Sequence, residues 1–230
     1  MELSLSCNDL ADYVAGQCNA FFPDKHVLFG KDFSRGLRLA LERIEYCFSH
    51  IRLRGYGEGR QARFHHLHSD QYAQFLYFLA NSIWQLEPEK ESLCRKLILL
   101  NRALHGCWFS YKGRLPDIFL FDHPVGTVLG NASYSDYAYF SQNVTINTQP
   151  SDAVSATPLI GKFLFMSAGA KIIGEEPIGN DVTLGVDAVV YHRRIPDGTI
   201  FFKDEETGRQ VMKEHAESPA RRFFWVDDDL

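Results

Sequence analysis

The side chains best suited to chemistry near neutral pH are the histidines, and they fall into separate sets. His65, His66 and His68 crowd together with Asp70 close behind them. Imidazoles and a carboxylate at such spacing can ligate a metal ion. The same run stands directly ahead of a long apolar stretch and reads better as an exposed lead into a helix, so no metal is expected. His123 and His192 lie in the second half of the chain, which is repetitive. Tyr134, Tyr137 and Tyr139 offer flat faces on which a sugar ring could stack, although packing in a core or between subunits uses tyrosine in the same way.

Other groups set limits. The cysteines, Cys7, Cys18, Cys47, Cys94 and Cys107, are odd in number, contain no C-x-x-C pair and all lie in the first half. That pattern suits reduced, packed thiols in the cytoplasm better than a disulfide framework. With a formal net charge of -5 and no dense basic run, the chain lacks a footprint for nucleic-acid phosphates. The opening Met1-Glu2-Leu3-Ser4 has neither the basic nor the apolar region of a secretory leader. No apolar stretch reaches the roughly 18 residues that a membrane span needs.

The elements that must position these residues divide into two kinds. Leu37, Leu41, Ile44, Phe48 and Ile51 recur at helical spacing, as do Leu93, Leu97, Leu100 and Leu104, with Pro88 suited to a first turn. Between them, residues Tyr72 to Trp84 carry an apolar stripe so wide that the helix should be buried on more than one side. A helical bundle over residues 5–107 follows, with Gly55-Tyr56-Gly57-Glu58-Gly59 as a flexible loop inside it.

After Pro116 the period changes to six. Ile160, Met166, Ile172, Ile178, Leu184, Val190 and Pro196 fall at six-residue intervals, with Gly161, Gly179 and Gly185 following the aliphatic residue. Leu164, Ala170, Glu176, Val182, Ala188 and Arg194 stand four residues after it. Upstream, Val128, Tyr134, Phe140 and Ile146 keep the period. A six-residue repeat fits a solenoid in which each hexapeptide forms one flat side of a triangular coil. From Ile146 to Ile160 is 14 residues, two more than two hexads. A polar loop is therefore expected over Asn147-Thr148-Gln149-Pro150-Ser151-Asp152.

The run Phe121-Asp122-His123-Pro124-Val125-Gly126-Thr127-Val128-Leu129-Gly130 resembles a motif of the serine acetyltransferases. Ser141-Gln142-Asn143-Val144-Thr145, Thr157-Pro158-Leu159-Ile160, the run Ser167 to Gly174 and Ser218-Pro219-Ala220-Arg221 are similar to that family in order and spacing. The resemblance implies an α+β chain: a helical domain over residues 1–112, then a left-handed parallel β-helix of hexapeptide repeats over 113–230. It implies a homotrimer, or a dimer of trimers, with each active site between neighbouring prisms. Acetyl-CoA would be the co-substrate and a small molecule the acceptor, with no nucleic acid or membrane partner. By the resemblance, His123 would be the general base, with Asp122 beside it. Ser167, Ala168, Gly169 and Ala170 would hold the pantetheine arm, and Arg221 and Arg222 would meet the phosphates. Asp70, Gln142 and Thr157 would face the acceptor.

Three departures bear on the acceptor. The family's arginine–histidine pair, which engages the amino acid's carboxylate, is replaced by Ala156-Thr157. The position of the carboxylate that orients the family's base is Trp108 here. Asp122 is adjacent to His123, so on a strand it would point to the opposite face; Asp117 is the nearest stand-in. Asp70, the counterpart of a further family aspartate, also suits an N-cap for a helix beginning near Gln71. The same prism also carries carbonic anhydrases, which need three histidine ligands; His123 and His192 fall short of that. The family's C-terminal segment docks into cysteine synthase. Asp227-Asp228-Asp229-Leu230 is similar in charge, with leucine for the family's isoleucine. Three readings stay open: an O-acetyltransferase acting on serine or a related small hydroxyl compound, an acetyltransferase acting on a sugar of a surface polysaccharide, and a non-catalytic interaction module.

Overall fold

The apolar stretch between the two periodic segments becomes α3, Ser69–Leu86, in a computed structural model that describes residues 1–26, 28, 30–147, 157–215 and 217–227. Every residue from Asp70 to Ile83 is buried, as its wide stripe predicts. Around it stand α1 (Cys7–Phe21), α2 (Lys31–Ser49) and α4 (Glu91–His105). Leu37, Ile44, Phe48 and Ile51 are buried along and just after α2, and Leu93, Leu97 and Leu100 along α4; Leu104 closes its stripe in solvent at 39% exposed. No helix among the described residues is long and apolar enough to cross a membrane.

The stretch expected to be a flexible loop is instead ordered. Arg54–Tyr56 forms a 3₁₀ turn, and Gly57–Glu58 pairs antiparallel with Gln61–Phe64, which in turn pairs with Glu2–Leu3. Tyr56, fully buried against Phe48, anchors this small sheet, which is why the glycines around it do not leave it loose.

The second half is a coil of very short parallel strands that visits three ladders in turn. One column of inward residues runs Phe121, Phe140, Met166, Leu184, Phe201. A second runs Phe109, Leu129, Ile146, Ile172, Val190. The third is Tyr134, Ile160, Ile178, Ile195. Strands of two or three residues cannot persist alone; each is held by main-chain pairing above and below and by this shared core.

The hexad pattern is right in the middle of the coil and slips at both ends. Leu129, not Val128, fills the inner column, pairing with Ile146. Ile195, not Pro196, pairs with Ile178 and is buried, while Pro196 is exposed. From Ile146 to Ile160 the chain makes one step between ladders, because Ile160 sits directly on Tyr134. The excess over one hexad is thus larger than the expected two residues; of that loop, 148–156 lie outside the described residues. The first rung, Trp108–Phe109, pairs with Val128–Leu129 and so precedes the expected boundary at 112.

No hinge separates the helices from the coil, because one continuous core runs through both. α3 lies antiparallel to the incoming chain. Asn81 Nδ2 donates to the carbonyls of Tyr111 and Gly113, the Leu115 N–H donates to the Tyr77 hydroxyl, and Gln74 Nε2 donates to the Phe119 carbonyl at 2.9 Å.

Gly161 shows how tightly the coils stack. A Cβ built there would come within 2.5 Å of the Gly179 carbonyl group, backbone that cannot yield. Gly161→Ala should therefore destabilise the fold by about 1–3 kcal/mol. Urea titration followed by circular dichroism checks this; an unchanged midpoint would show that the stacking tolerates a methyl group.

Candidate active site

His123 stands on an enlarged corner of the coil. From the inner residue Phe121 to the next, Leu129, the chain takes two residues more than a hexad, and the excess bulges outward. The strand Phe119–Phe121 ends before Asp122, and His123 itself has φ 53°, in the left-handed region, as do other corner residues of the coil such as Asn143 and Asp187. Gly126, at φ 74°, closes the turn, and a Cβ on it would meet Asn143 Oδ1 at 2.1 Å. The imidazole is left 78% exposed.

Two carboxylates flank it. Asp70 Oδ2 lies 3.3 Å from His123 Nδ1 and accepts the His123 main-chain N–H at 3.2 Å. Asp122 Oδ1 lies 3.8 Å from Nε2. The left-handed turn thus brings Asp122 back to the ring, where a strand would have sent it to the other face. Asp70 is not an N-cap: α3 begins at Ser69 after His68, and Asp70 sits in its first turn, its side chain 7% exposed. A carboxylate there is favoured by the helix dipole. The Ser69 hydroxyl donates to its other oxygen at 3.0 Å.

Asp122 is fixed in turn by Tyr139, whose hydroxyl donates to Asp122 Oδ2 at 2.5 Å. Tyr139 stacks on Phe165 at 4.4 Å and on Phe223 at 4.7 Å. Tyr137 stacks on Phe163, and the Tyr134 hydroxyl donates to the Gly130 carbonyl. All three tyrosines are engaged within the protein, in line with the packing role that their positions also allowed.

Several expected residues share one edge of the coil with His123. The Asn143 N–H donates to the Val125 carbonyl, that of Gly169 to Gln142, and that of Asp187 to Ala168. Gln142 and the turn Ser167, Ala168, Gly169, Ala170 therefore stack above the histidine corner. Three N–H groups of that turn are already engaged: Ser167 donates to Leu184, Gly169 to Gln142 and Ala170 to Ser167. Thr157 lies on a different edge, at the start of the Leu159–Ile160 strand. Arg221 lies on the third, paired twice with Asp181 at 2.6 and 2.8 Å and set over the Phe163 ring, while Arg222 is exposed. Ala156 is outside the described residues.

The other candidates are occupied elsewhere. Asp117 pairs with Arg114, and Trp108 is 40% exposed on the first rung. His66 Nδ1 meets Ser4 Oγ, His65 stacks on His66, and His68 packs against Tyr56. Those three rings do not converge, whereas Asp70, Asp122 and His123 place one atom each within 4.8 Å of one another. His215 is a further histidine of this half, its Nε2 against the Asp181 carbonyl. Asp227 is held by Arg60 and His50; residues 228–230 are outside the described residues.

Sequence reasoning did not single out Gln74 or Tyr77, took Tyr139 only as a stacking or packing ring and placed Tyr56 in a loop. The first two carried a signal: Asp70, Gln74, Tyr77 and Asn81 follow helical spacing, a polar stripe within an apolar helix. Tyr56 is buried with an unpartnered hydroxyl, and burial, with Asp70 adding to it, pushes that hydroxyl far above its ordinary pKa.

No protein-family model matches the chain. It is 29% identical over 118 residues to a serine acetyltransferase of Synechococcus elongatus, covering 51% of this chain and 48% of that protein. The chain thus spans about half the length of the curated relatives it matches. In fold it is similar to the serine acetyltransferase of Vibrio cholerae, with a TM-score of 0.61 at 19% identity, covering 90% of this chain and 73% of that one. The serine acetyltransferase of Brucella abortus solved with coenzyme A is similar at a TM-score of 0.59 and 18% identity, over 91% and 76% of the two chains. The chain is serine acetyltransferase-like in sequence and in fold.

Burial also governs the groups behind the site. It pushes the thiols of Cys18, Cys47, Cys94 and Cys107 up to about 12, and these cysteines are free. Burial lowers His105 from 6.5 to about 4, against a smaller opposing pull from Asp70. Its Nδ1 pairs with Asn101 Oδ1 at 2.8 Å. In the unfolded chain this histidine binds a proton below pH 6.5, and in the folded one only near 4. Unfolding therefore takes up a proton between those values, and the stability present above pH 6.5 falls as pH drops toward 4, by at most about 3 kcal/mol. Urea midpoints at pH 7 and pH 5 should show the loss, and His105→Gln should flatten it; an equal slope in the variant would remove His105 as its source.

Proposed function

We propose that this chain is an acyl-CoA-dependent acyltransferase, transferring acetyl from acetyl-CoA to the hydroxyl of serine or a related small acceptor. The observation that carries the reading is an accessible imidazole, flanked by two carboxylates, on the segment that resembles the serine acetyltransferase motif. His123 is the general base. An imidazole is too weak to deprotonate an alcohol beforehand, so the proton leaves the acceptor hydroxyl as its oxygen attacks the thioester carbonyl. The new ester C–O bond forms, the C–S bond breaks, and the thiolate of coenzyme A departs.

The acyl donor lies along the edge above His123. Small side chains in the turn Ser167 to Ala170 allow a close approach, but the engaged N–H groups mean that contact there is largely through shape. Exposed Arg222 suits the phosphates. Arg221 reaches them only by leaving Asp181. Thr157 lies on another edge, so a part for it beside His123 requires a neighbouring copy, as in the homotrimer of left-handed prisms that the resemblance implies. A cytoplasmic location agrees with the free thiols.

The charges around the base bear on the acceptor. His123's ionic neighbours within 4 Å are Asp70 and Asp122, both acidic. A carboxylate entering beside them unpaired is penalised by desolvation and repulsion. Serine should thus bind with a KM above ~1 mM, at the high end for enzymes, and a neutral hydroxyl acceptor more tightly. Ala156→Arg with Thr157→His should lower the KM for serine alone. His123→Ala should reduce turnover by about 10²–10⁴-fold without loss of coenzyme A affinity. Steady-state kinetics and calorimetry check these outcomes; near-normal turnover in His123→Ala would overturn the mechanism.

A further inference from the structure

We infer that Asp70, a residue of the helical half, is the positioning residue of His123, holding the imidazole in the tautomer that leaves Nε2 free as the base. The inference rests on the proposed role of His123. Its basis is the meeting of one buried carboxylate oxygen with two nitrogens of the same residue. Asp70 Oδ2 takes the main-chain N–H of His123 at 3.2 Å and faces Nδ1 at 3.3 Å. The first contact fixes the turn, and the second fixes the ring within it.

A carboxylate only accepts hydrogen bonds, so its charge favours the proton on the ring nitrogen nearest it, Nδ1 at 3.3 Å. Nδ1–H against Asp70 places the lone pair on Nε2, the nitrogen available to an incoming hydroxyl. Asp122 is less suited to this task. It lies 3.8 Å from Nε2, it is 44% exposed, and its other oxygen already accepts from Tyr139. A proton on Nε2 would favour Asp122 but would leave the outward nitrogen with nothing to accept.

Asp70 is also held more firmly. Four residues further along α3, Gln74 donates to the carbonyl of Phe119, which lies four residues before His123. The Phe119 N–H meets Cys47 Sγ at 3.5 Å. The helix and the incoming strand are therefore in fixed register up to the Asp70–His123 contact. A base whose ring is orientated by a fixed anion needs little reorganisation when it becomes an imidazolium during the reaction. At the place where the resembling family carries the orienting carboxylate, this chain has Trp108, which has no acceptor to offer.

Asp70→Asn tests the inference, because it keeps size and an oxygen that can accept the main-chain N–H. Side-chain ¹⁵N spectra of the full chain, with the His123 signals identified by their loss in His123→Ala, report the tautomer directly. The wild type should show Nδ1–H. In Asp70→Asn the Nε2–H form should grow, because a neutral amide oxygen holds Nδ1–H less strongly than a carboxylate, while Asp122 still favours a proton on Nε2. Turnover with acetyl-CoA should fall about 10²-fold or more with the KM for acetyl-CoA unchanged. Asp70→Asn combined with His123→Ala should be no slower than His123→Ala alone. Asp70→Glu, which restores the charge, should recover part of the loss. An unchanged tautomer in Asp70→Asn would overturn the inference. So would a double variant slower than His123→Ala by the full Asp70→Asn factor, since Asp70 would then act on the substrate independently of the base. If no acceptor is acetylated by the wild type, the proposed function fails, and the tautomer measurement still decides the role of Asp70.

Discussion

The seam between α3 and the chain entering the coil is the constraint on which the rest depends. Along it, Asn81 meets Tyr111 and Gly113, Tyr77 meets Leu115, Gln74 meets Phe119, and Asp70 meets His123. The helix numbers fall as the strand numbers rise, and each polar side chain satisfies main-chain groups that have left solvent before the parallel ladders can pair them. Burying such groups unpaired would cost about 1–3 kcal/mol each. The seam therefore supplies the coil with a first rung in fixed register. Phe119 completes the join on the apolar side, its ring against Phe78 at 5.6 Å.

Once the first rung is fixed, the coil needs little further instruction. From Tyr134 to Ile146 and from Ile160 to Val190 its inward residues fall six apart, and each turn is templated by the one before it. The irregular places are the informative ones. The corner carrying His123 is too long for the repeat, and the excess length lets an imidazole stand clear of the ladders. The departure from the repeat and the candidate chemistry coincide, as expected where function overrides local regularity.

The repeat made most of the coil legible from sequence, and the helical spacing of Leu37 to Ile51 and Leu93 to Leu100 did the same for the bundle. Both slips arose from trusting the period over the residue: at 128–129 and 195–196 the more apolar member of each pair, Leu129 and Ile195, took the core. Asp122 and Asp70 were harder to place. Reading Asp122 as part of a strand sent it away from His123, because nothing in the residue types announces the left-handed turn at His123. Asp70 has two valid local roles, and only the tertiary register chooses between them. The tyrosines illustrate the same limit: an aromatic ring reads identically whether its partner is a ligand or, as for Tyr139, Phe165 and Phe223.

The two carboxylates beside His123 are held by different parts of the chain. Asp70 belongs to α3 and is fixed by the seam. Asp122 depends on Tyr139, and Tyr139 packs against the coil's Phe165 and against Phe223 of the segment Pro219–Phe223. That segment continues onto the helical half. Phe224 bridges to Ile51, the Arg52 N–H donates to the Phe223 carbonyl, Arg52 lies over the Trp225 ring at 4.2 Å, and Arg60 and His50 hold Asp227. The same segment thus ties helices to coil at a second place. Two independent joins converge on one exposed imidazole. Such a division separates the orientation of the ring, set through Nδ1 by the helical half, from the charge beyond Nε2, set by the coil and the segment that covers it.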